Sequence, residues 1–137
     1  MIDYMYGKKE YLMTHNERKF YRRLFDAVGK DYLIFPQLHL DTLLDYKIRG
    51  QGYNGAYKSI RQYSVDYALC DVNLRIVCAI ELDDPTHNQP ERMKRDRAVE
   101  YVLDRANLPL VRIRSDEYIS SDDIVQRIDL CIKRQYS

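Results

Sequence analysis

The stretch Ile76-Val-Cys-Ala-Ile-Glu-Leu-Asp-Asp-Pro-Thr-His87 decides the fold, because it begins as an uninterrupted apolar strand and ends in acidic residues. Side chains alternate between the two faces of a strand, so Glu81 and Asp83 share one face with Val77 and Ala79. A strand that is apolar on both faces is typical of a sheet covered on both sides, and its C-terminal end is a usual place for a functional site. We therefore expect Glu81 and Asp83 to lie at a functional edge of the sheet.

A preceding strand, residues 65–71, is predicted to pair with this one through a two-residue hairpin turn. That register sets Asp66 opposite Ala79, one diagonal step from Glu81 and roughly 7–8 Å away from it. The carboxylates of Asp66, Glu81 and Asp83 would then converge at one end of the sheet. Such a cluster is costly without a cation, since two charges about 5 Å apart repel by roughly 3 kcal/mol at an effective dielectric near 20. Oxygen ligands on rigid strands suit Mg²⁺ or Mn²⁺.

Length and composition indicate one globular domain with a single adequate core. The chain has 137 residues, of which 45% are hydrophobic and 31% charged, and its formal net charge is +1. It has no long apolar run and no signal-peptide pattern, which leads us to expect a cytoplasmic protein that does not enter a membrane. Because the net charge is close to zero, binding to nucleic acid would need a local basic surface.

The signals along the chain predict the order helix, strand, loop, two hairpinned strands, helix, strand, helix. Residues 1–13 show no period and are predicted to form an N-terminal arm, followed by a single domain over residues 14–137. A capping box, Thr14-His-Asn-Glu17, opens the first helix. The segment 46–63 has no regular pattern and is predicted to be a mobile loop. Helices placed among strands indicate an α/β fold, a mixed four-stranded sheet with helices on both faces.

Two segments carry basic side chains that are candidates for contact with nucleic acid. The predicted loop contains four basic residues and no acid, and its tyrosines are suited to stacking on bases. The helix after the acidic stretch carries three more, although the acids beside them are also consistent with ordinary solvated ion pairs. The candidates are Lys47, Arg49, Lys58, Arg61, Arg92, Lys94 and Arg95.

The predicted order αβββαβ, with an acid on the first helix, an acid in the second strand and a Glu-x-acid pair ending the third, resembles the PD-(D/E)XK nuclease superfamily. The run Ala79-Ile-Glu-Leu-Asp-Asp-Pro-Thr-His87 is similar to a bacterial domain-of-unknown-function branch related to the very-short-patch repair endonucleases. The similarity covers roughly residues 14–132. It implies a restriction-endonuclease-like fold and a Mg²⁺- or Mn²⁺-dependent endonuclease, with DNA favoured over RNA as the expected substrate.

The resemblance also implies a set of metal ligands. Asp66 and Glu81 match the metal-binding acids, the backbone carbonyl of Leu82 is a further oxygen ligand, and Asp83 would share the metal or orient a water molecule. The chain departs from the parent motif at Asp83, which stands where the superfamily has a lysine. The positive charge that the lysine supplies would have to come from the following helix, where Arg92, Lys94 and Arg95 are the candidates.

Two further catalytic candidates follow from the same resemblance. Glu17 matches the acid of the first helix, although its place in a capping box already explains a glutamate there. His87 would serve as a base or a ligand, although a histidine in a turn before a helix is usually an ordinary surface residue.

Two alternatives to an active nuclease stay open. The missing lysine is consistent with a module that kept the nuclease fold, lost catalysis and binds nucleic acid. The near-neutral charge also permits an interaction domain that binds a protein partner within a larger defence or mobile-element system.

Overall fold

Four strands form one mixed sheet in the computed structural model, which describes residues 2–85 and 89–135. In chain order the strands are β1 (Leu33–His39), β2 (Ser64–Cys70), β3 (Ile76–Asp83) and β4 (Leu110–Arg114). This is also their order across the sheet. β2 runs antiparallel to both β1 and β3, whereas β4 runs parallel to β3. The mixed α/β sheet predicted from the sequence is therefore confirmed.

Helices cover both faces of this sheet. The described residues include α1 (His15–Val28), α2 (Leu40–Leu43), α3 (Tyr53–Ile60), α4 (Pro90–Arg105) and α5 (Ser121–Gln135). α1 and α5 pack on one face, and α2, α3 and α4 pack on the other. Residues 2–13 form neither helix nor strand. No helix in the described ranges combines the length and the hydropathy that crossing a membrane requires.

The face under α1 and α5 holds the larger apolar cluster. Leu24 of α1 and Ile124 of α5 are fully buried there, against the strand residues Tyr67, Cys78 and Ile80. The opposite face has small residues at its centre, because Ala68 lies directly across from Ala79. These short side chains allow α4 to approach the strands closely, and its residues Val99 and Leu103 are fully buried. β3 is thus covered on both sides, as its apolar run predicts.

The β2–β3 register differs from the predicted one by two residues. Ala68, and not Asp66, lies opposite Ala79. The turn is longer than two residues because Asp71 Oδ1 accepts hydrogen bonds from two backbone N–H groups of the turn, each at 2.9 Å. A bulge near the end of β2 adds to the shift. A shift of two residues keeps every side chain on its predicted face, and it brings Asp66 closer to the acidic end of β3.

The prediction of a mobile loop over residues 46–63 was wrong, because this segment contains α3. Ile60 of α3 is buried in the core, and the rings of Tyr46 and Tyr57 are 5.3 Å apart between centroids. The sequence did not predict this helix, because the segment contains three glycines and its apolar pattern is too short to show a helical period. Packing against α2 and the sheet stabilises it despite its weak intrinsic propensity.

The capping box at the start of α1 is present as predicted. Thr14 Oγ1 accepts a hydrogen bond from the backbone N–H of Glu17 at 3.3 Å, and Glu17 Oε1 accepts one from the N–H of Thr14 at 3.0 Å.

We expect Thr14→Ala to lower the free energy of unfolding by about 1 kcal/mol, because the substitution leaves an N–H group of the first turn without its partner. Thr42→Ala, at an exposed residue of α2, is the matched control and should change it by less than about 0.5 kcal/mol. Urea titration of both variants measures the difference. Equal effects would mean that the cap contributes nothing specific.

Candidate metal centre

Asp66 and Glu81 lie side by side, near the start of β2 and the end of β3. One step beyond the paired residues Tyr67 and Ile80, the same register sets the two acids next to each other. Asp66 Oδ2 accepts a hydrogen bond from the backbone N–H of Leu82 at 2.7 Å. The carboxyl groups of Asp66 and Glu81 are close enough for a hydrogen bond between them to lower the pKa of Asp66 and raise that of Glu81. Because a bond between two carboxyl groups needs a proton, the pair shares one when no cation neutralises it.

Burial explains why the proton stays on this pair. Glu81 is only 4% exposed and is the one charged side chain of the described residues that is buried. Burial, and secondarily the charge of Asp66, raises the pKa of Glu81 to about 9. Burial also raises the pKa of Asp66, against the opposing effect of its hydrogen bonds to Glu81 and Leu82. A cation that bound here would have to displace a proton at neutral pH.

Arg95 of α4 lies beside the pair without neutralising it fully. Its Nη2 donates a hydrogen bond to the backbone oxygen of Ser64 at 2.7 Å, and its Nη1 is 3.1 Å from Asp96 Oδ1. The distance from Nη2 to Glu81 Oε1 is 3.7 Å, too long for a hydrogen bond. Among the described residues, Glu81 Oε1 is buried and has no hydrogen-bond partner. A buried carboxylate oxygen without a partner is costly unless something else binds it.

A cavity of about 300 Å³ opens beside Asp66. Residues from five elements line it, among them Glu17 of α1, Gln37 of β1 and Arg92 of α4. Since one water molecule occupies about 30 Å³ of liquid, the cavity has room for several waters or a phosphate group.

Glu17 has a role in this cavity in addition to its capping role. While its Oε1 caps α1, its Oε2 accepts a hydrogen bond from Gln37 Nε2. Gln37 has a backbone φ of 54°, in the left-handed region that residues other than glycine rarely adopt. Such strain costs on the order of 1–3 kcal/mol and is concentrated at functional sites. The sequence pointed to Glu17, but nothing in it indicated Gln37 except the neighbouring Pro36.

Asp83 is held by an arginine that sequence reasoning missed. Arg112 of β4 pairs with Glu81 in the parallel register, and its Nη1 is 2.8 Å from Asp83 Oδ1. Its Nε also donates to Glu100 Oε1 at 2.6 Å. Asp83 would have to leave Arg112 in order to act as the metal ligand or water-orienting group that the resemblance implies. Only the β3–β4 pairing reveals this contact, because Arg112 looks like an ordinary charge in a short strand.

We expect Arg112→Met to lower the free energy of unfolding by about 1–3 kcal/mol, because it leaves two carboxylates without their partner in a partly buried setting. The Arg112 side chain is 23% exposed, whereas that of Arg75 is 79% exposed and lies 4.0 Å from Asp71. Arg75→Met is therefore the control, with an expected change below about 0.5 kcal/mol. Chemical denaturation of both variants decides whether the Arg112 network stabilises the fold, and equal losses would show that it does not.

The basic residues predicted to contact nucleic acid fall into two places. Arg92 lines the cavity, Arg95 lies beside Glu81, and Lys94 is exposed on the same helix. The other four are exposed in and around α3, on the sheet face opposite α1, and none is among the described residues that line the cavity: Lys47, Arg49, Lys58 and Arg61.

Among the residues that the structure describes, the predicted site does not extend to a larger ligand cluster. His87 lies outside the described residues. In the ranges 2–85 and 89–135, no group of three or more His, Cys, Asp or Glu side chains is arranged to hold a metal ion. A divalent ion would therefore rely on two carboxylates, a backbone oxygen and water, a donor set that suits Mg²⁺ because this ion keeps several waters. The buried Glu81 oxygen without a partner fits such a ligand.

The comparisons with known proteins give a family for the chain. A family model described as a protein of unknown function, DUF2726, matches residues 9–131. The chain belongs to the DUF2726 family. The matched part of this DUF2726 protein includes all of the acids described above, from Glu17 to Asp83, and also Arg112. No curated protein and no solved structure matches the chain.

Proposed function

We propose that this DUF2726 protein is a metal-dependent nuclease that hydrolyses phosphodiester bonds in DNA. The observation that carries the proposal is the Asp66–Glu81 pair. Its two carboxyl groups lie side by side, and Oε1 of Glu81 is buried without a hydrogen-bond partner among the described residues. An acid placed only for stability would be expected in direct contact with a cation, whereas Arg95 stays 3.7 Å from Glu81 Oε1. The resemblance to the PD-(D/E)XK nucleases, which was drawn partly from these residues, implies the same two acids as metal ligands.

The proposed ligands are the carboxylates of Asp66 and Glu81 and the backbone carbonyl of Leu82. A bound Mg²⁺ or Mn²⁺ would supply Lewis-acid activation of water and neutralise charge on the phosphate. The strand register sets both carboxyl groups side by side, and the Leu82 N–H orients that of Asp66, so that binding would mainly require loss of the shared proton.

Other residues of the cavity would position the substrate. Arg92 supplies a positive charge on the cavity wall, where it would contact a phosphate oxygen and replace part of the charge of the missing lysine. Glu17 and Gln37, joined by a hydrogen bond, present polar atoms that would orient a water molecule.

A second candidate function is DNA binding without cleavage. The observation in its favour is Asp83, which stands where the nuclease motif has lysine and forms an ion pair with Arg112. A protein of this kind would bind DNA in a salt-dependent manner and show no metal-dependent turnover. Binding to a protein partner without affinity for DNA would instead favour an interaction domain in a larger complex.

Incubation of supercoiled plasmid with the purified protein tests the proposal. We expect nicked and linear DNA to form with Mg²⁺ or Mn²⁺ and to be absent with EDTA. Intact plasmid under all of these conditions, together with clear binding to DNA, would favour the second candidate.

A further inference from the structure

A second, smaller pocket of about 60 Å³ lies between α1 and the segment that follows β4. Asn16, Leu82 and Ser115 line both this pocket and the larger cavity beside Asp66. The two spaces therefore share a wall, and a single extended ligand would be able to reach both.

Three cationic side chains line the smaller pocket: Lys19 and Arg23 of α1, and Arg114 at the end of β4. Lys19 and Arg23 are one helical turn apart and so project on the same side of α1. In the part of the chain that the structure describes, neither of these two forms an ion pair with an acidic side chain. Arg114, in contrast, is bound to Asp116 at 3.0 Å. Lys19 and Arg23 thus give the pocket positive charge that no acidic side chain of the described residues neutralises in an ion pair.

The acid in the pocket wall does not cancel this charge. Both carboxylate oxygens of Glu117 accept hydrogen bonds from Arg127, at 2.8 and 3.0 Å. A bidentate pair of this kind satisfies the carboxylate and offsets its charge. Asn16 and Ser115 add neutral hydrogen-bond donors where the two spaces meet. Cations together with neutral donors form a surface suited to an anion with several oxygen atoms.

We propose that the smaller pocket binds a backbone phosphate of the DNA strand, next to the phosphate held in the cavity beside Asp66. The inference rests on the proposed function, because it takes the larger cavity as the place of the scissile phosphate. It assigns Lys19 and Arg23 to the DNA surface, on the sheet face opposite the basic residues around α3.

The test measures binding of a fluorescein-labelled DNA duplex by anisotropy, in EDTA, over 50–200 mM NaCl. Lys19→Gln/Arg23→Gln is compared with Arg22→Gln/Lys30→Gln, which removes one lysine and one arginine at exposed positions that do not line the pocket. We expect the pocket variant to bind roughly tenfold more weakly and to reduce the slope of log K against log salt by about one for each cation removed. The control variant should keep the slope of the wild type.

Equal slopes for the two double variants, or no binding by the wild type, would overturn the assignment of the pocket. Circular-dichroism melting curves of both variants establish that each is folded. Cleavage is scored separately with the wild type and Mn²⁺, so the two proposals fail in different ways. If the pocket variant has a reduced slope but the wild type does not cleave DNA, the phosphate site is supported and the nuclease proposal is wrong. If the wild type cleaves DNA but the slope of the pocket variant is unchanged, the nuclease proposal is supported and the phosphate site is wrong.

Discussion

Asp66→Asn and Glu81→Gln should each lower Mn²⁺-dependent cleavage of plasmid DNA by on the order of 10³-fold, measured as the initial rate of nicking. Both substitutions keep the size of the side chain and remove a negatively charged ligand. Because the two carboxyl groups touch and would hold one ion together, loss of either should be nearly as damaging as loss of both. The double variant is therefore expected to be no more than a few-fold worse than the single variants.

Matched controls separate this effect from a general loss of acidic charge. Asp26→Asn and Glu10→Gln remove one carboxylate each at exposed positions, on α1 and in the N-terminal segment. Both should keep cleavage within about twofold of the wild type. If the rates of the Asp66 and Glu81 variants also stay at that level, the activity does not depend on this pair, and the proposed centre is wrong.

The second large effect concerns stability without metal, where Glu81→Gln should stabilise the protein at pH 8 by about 2–4 kcal/mol. The pKa of Glu81 rises from its ordinary 4.5 to about 9 on folding, first because of burial and then because of Asp66. A raised pKa means that the folded state holds the proton more tightly than the unfolded state. The stabilisation that comes from this tighter binding of the proton to Glu81 is fully present below pH 4.5, and it is lost as the pH rises towards 9. The neutral amide of glutamine avoids that loss.

Urea titrations of both proteins from pH 5 to 8, in EDTA, measure this difference. The difference in the free energy of unfolding between the variant and the wild type should be small at pH 5 and should increase as the pH rises. Mn²⁺ should then narrow the gap at pH 8, because it stabilises only the protein that keeps both ligands. A constant gap across the pH range, or a variant less stable than the wild type at pH 8, would show that Glu81 is not held protonated by burial.

The sequence predicted the acidic end of β3 well, because the signal is local. Five apolar residues before Glu81 indicate a covered strand, and alternation then fixes which side chains share a face. The capping box at Thr14 is local in the same sense. Each pattern depends on residues that are neighbours in the chain, and the structure has both features.

The parts that the sequence did not predict depend on pairing between distant segments. The turn at Asp71 changed the β2–β3 register by two residues, which moved Asp66 from a diagonal position to one beside Glu81. Arg112 reaches Asp83 only because β4 lies parallel to β3. Lys19 and Arg23 of α1 line a pocket only because the segment after β4, which is distant in the chain, packs beside them. None of these contacts is marked by a local pattern of apolar and polar residues in the sequence.

Isothermal titration calorimetry of Mn²⁺ into the wild-type protein at pH 7.5 tests most directly whether Asp66 and Glu81 form a metal site. Titrations in two buffers of different ionisation enthalpy count the protons released on binding. We predict binding to one site with release of close to one proton, and loss of that binding in both Asp66→Asn and Glu81→Gln. Binding that is absent from the wild type, or that persists unchanged in both variants, would contradict the account.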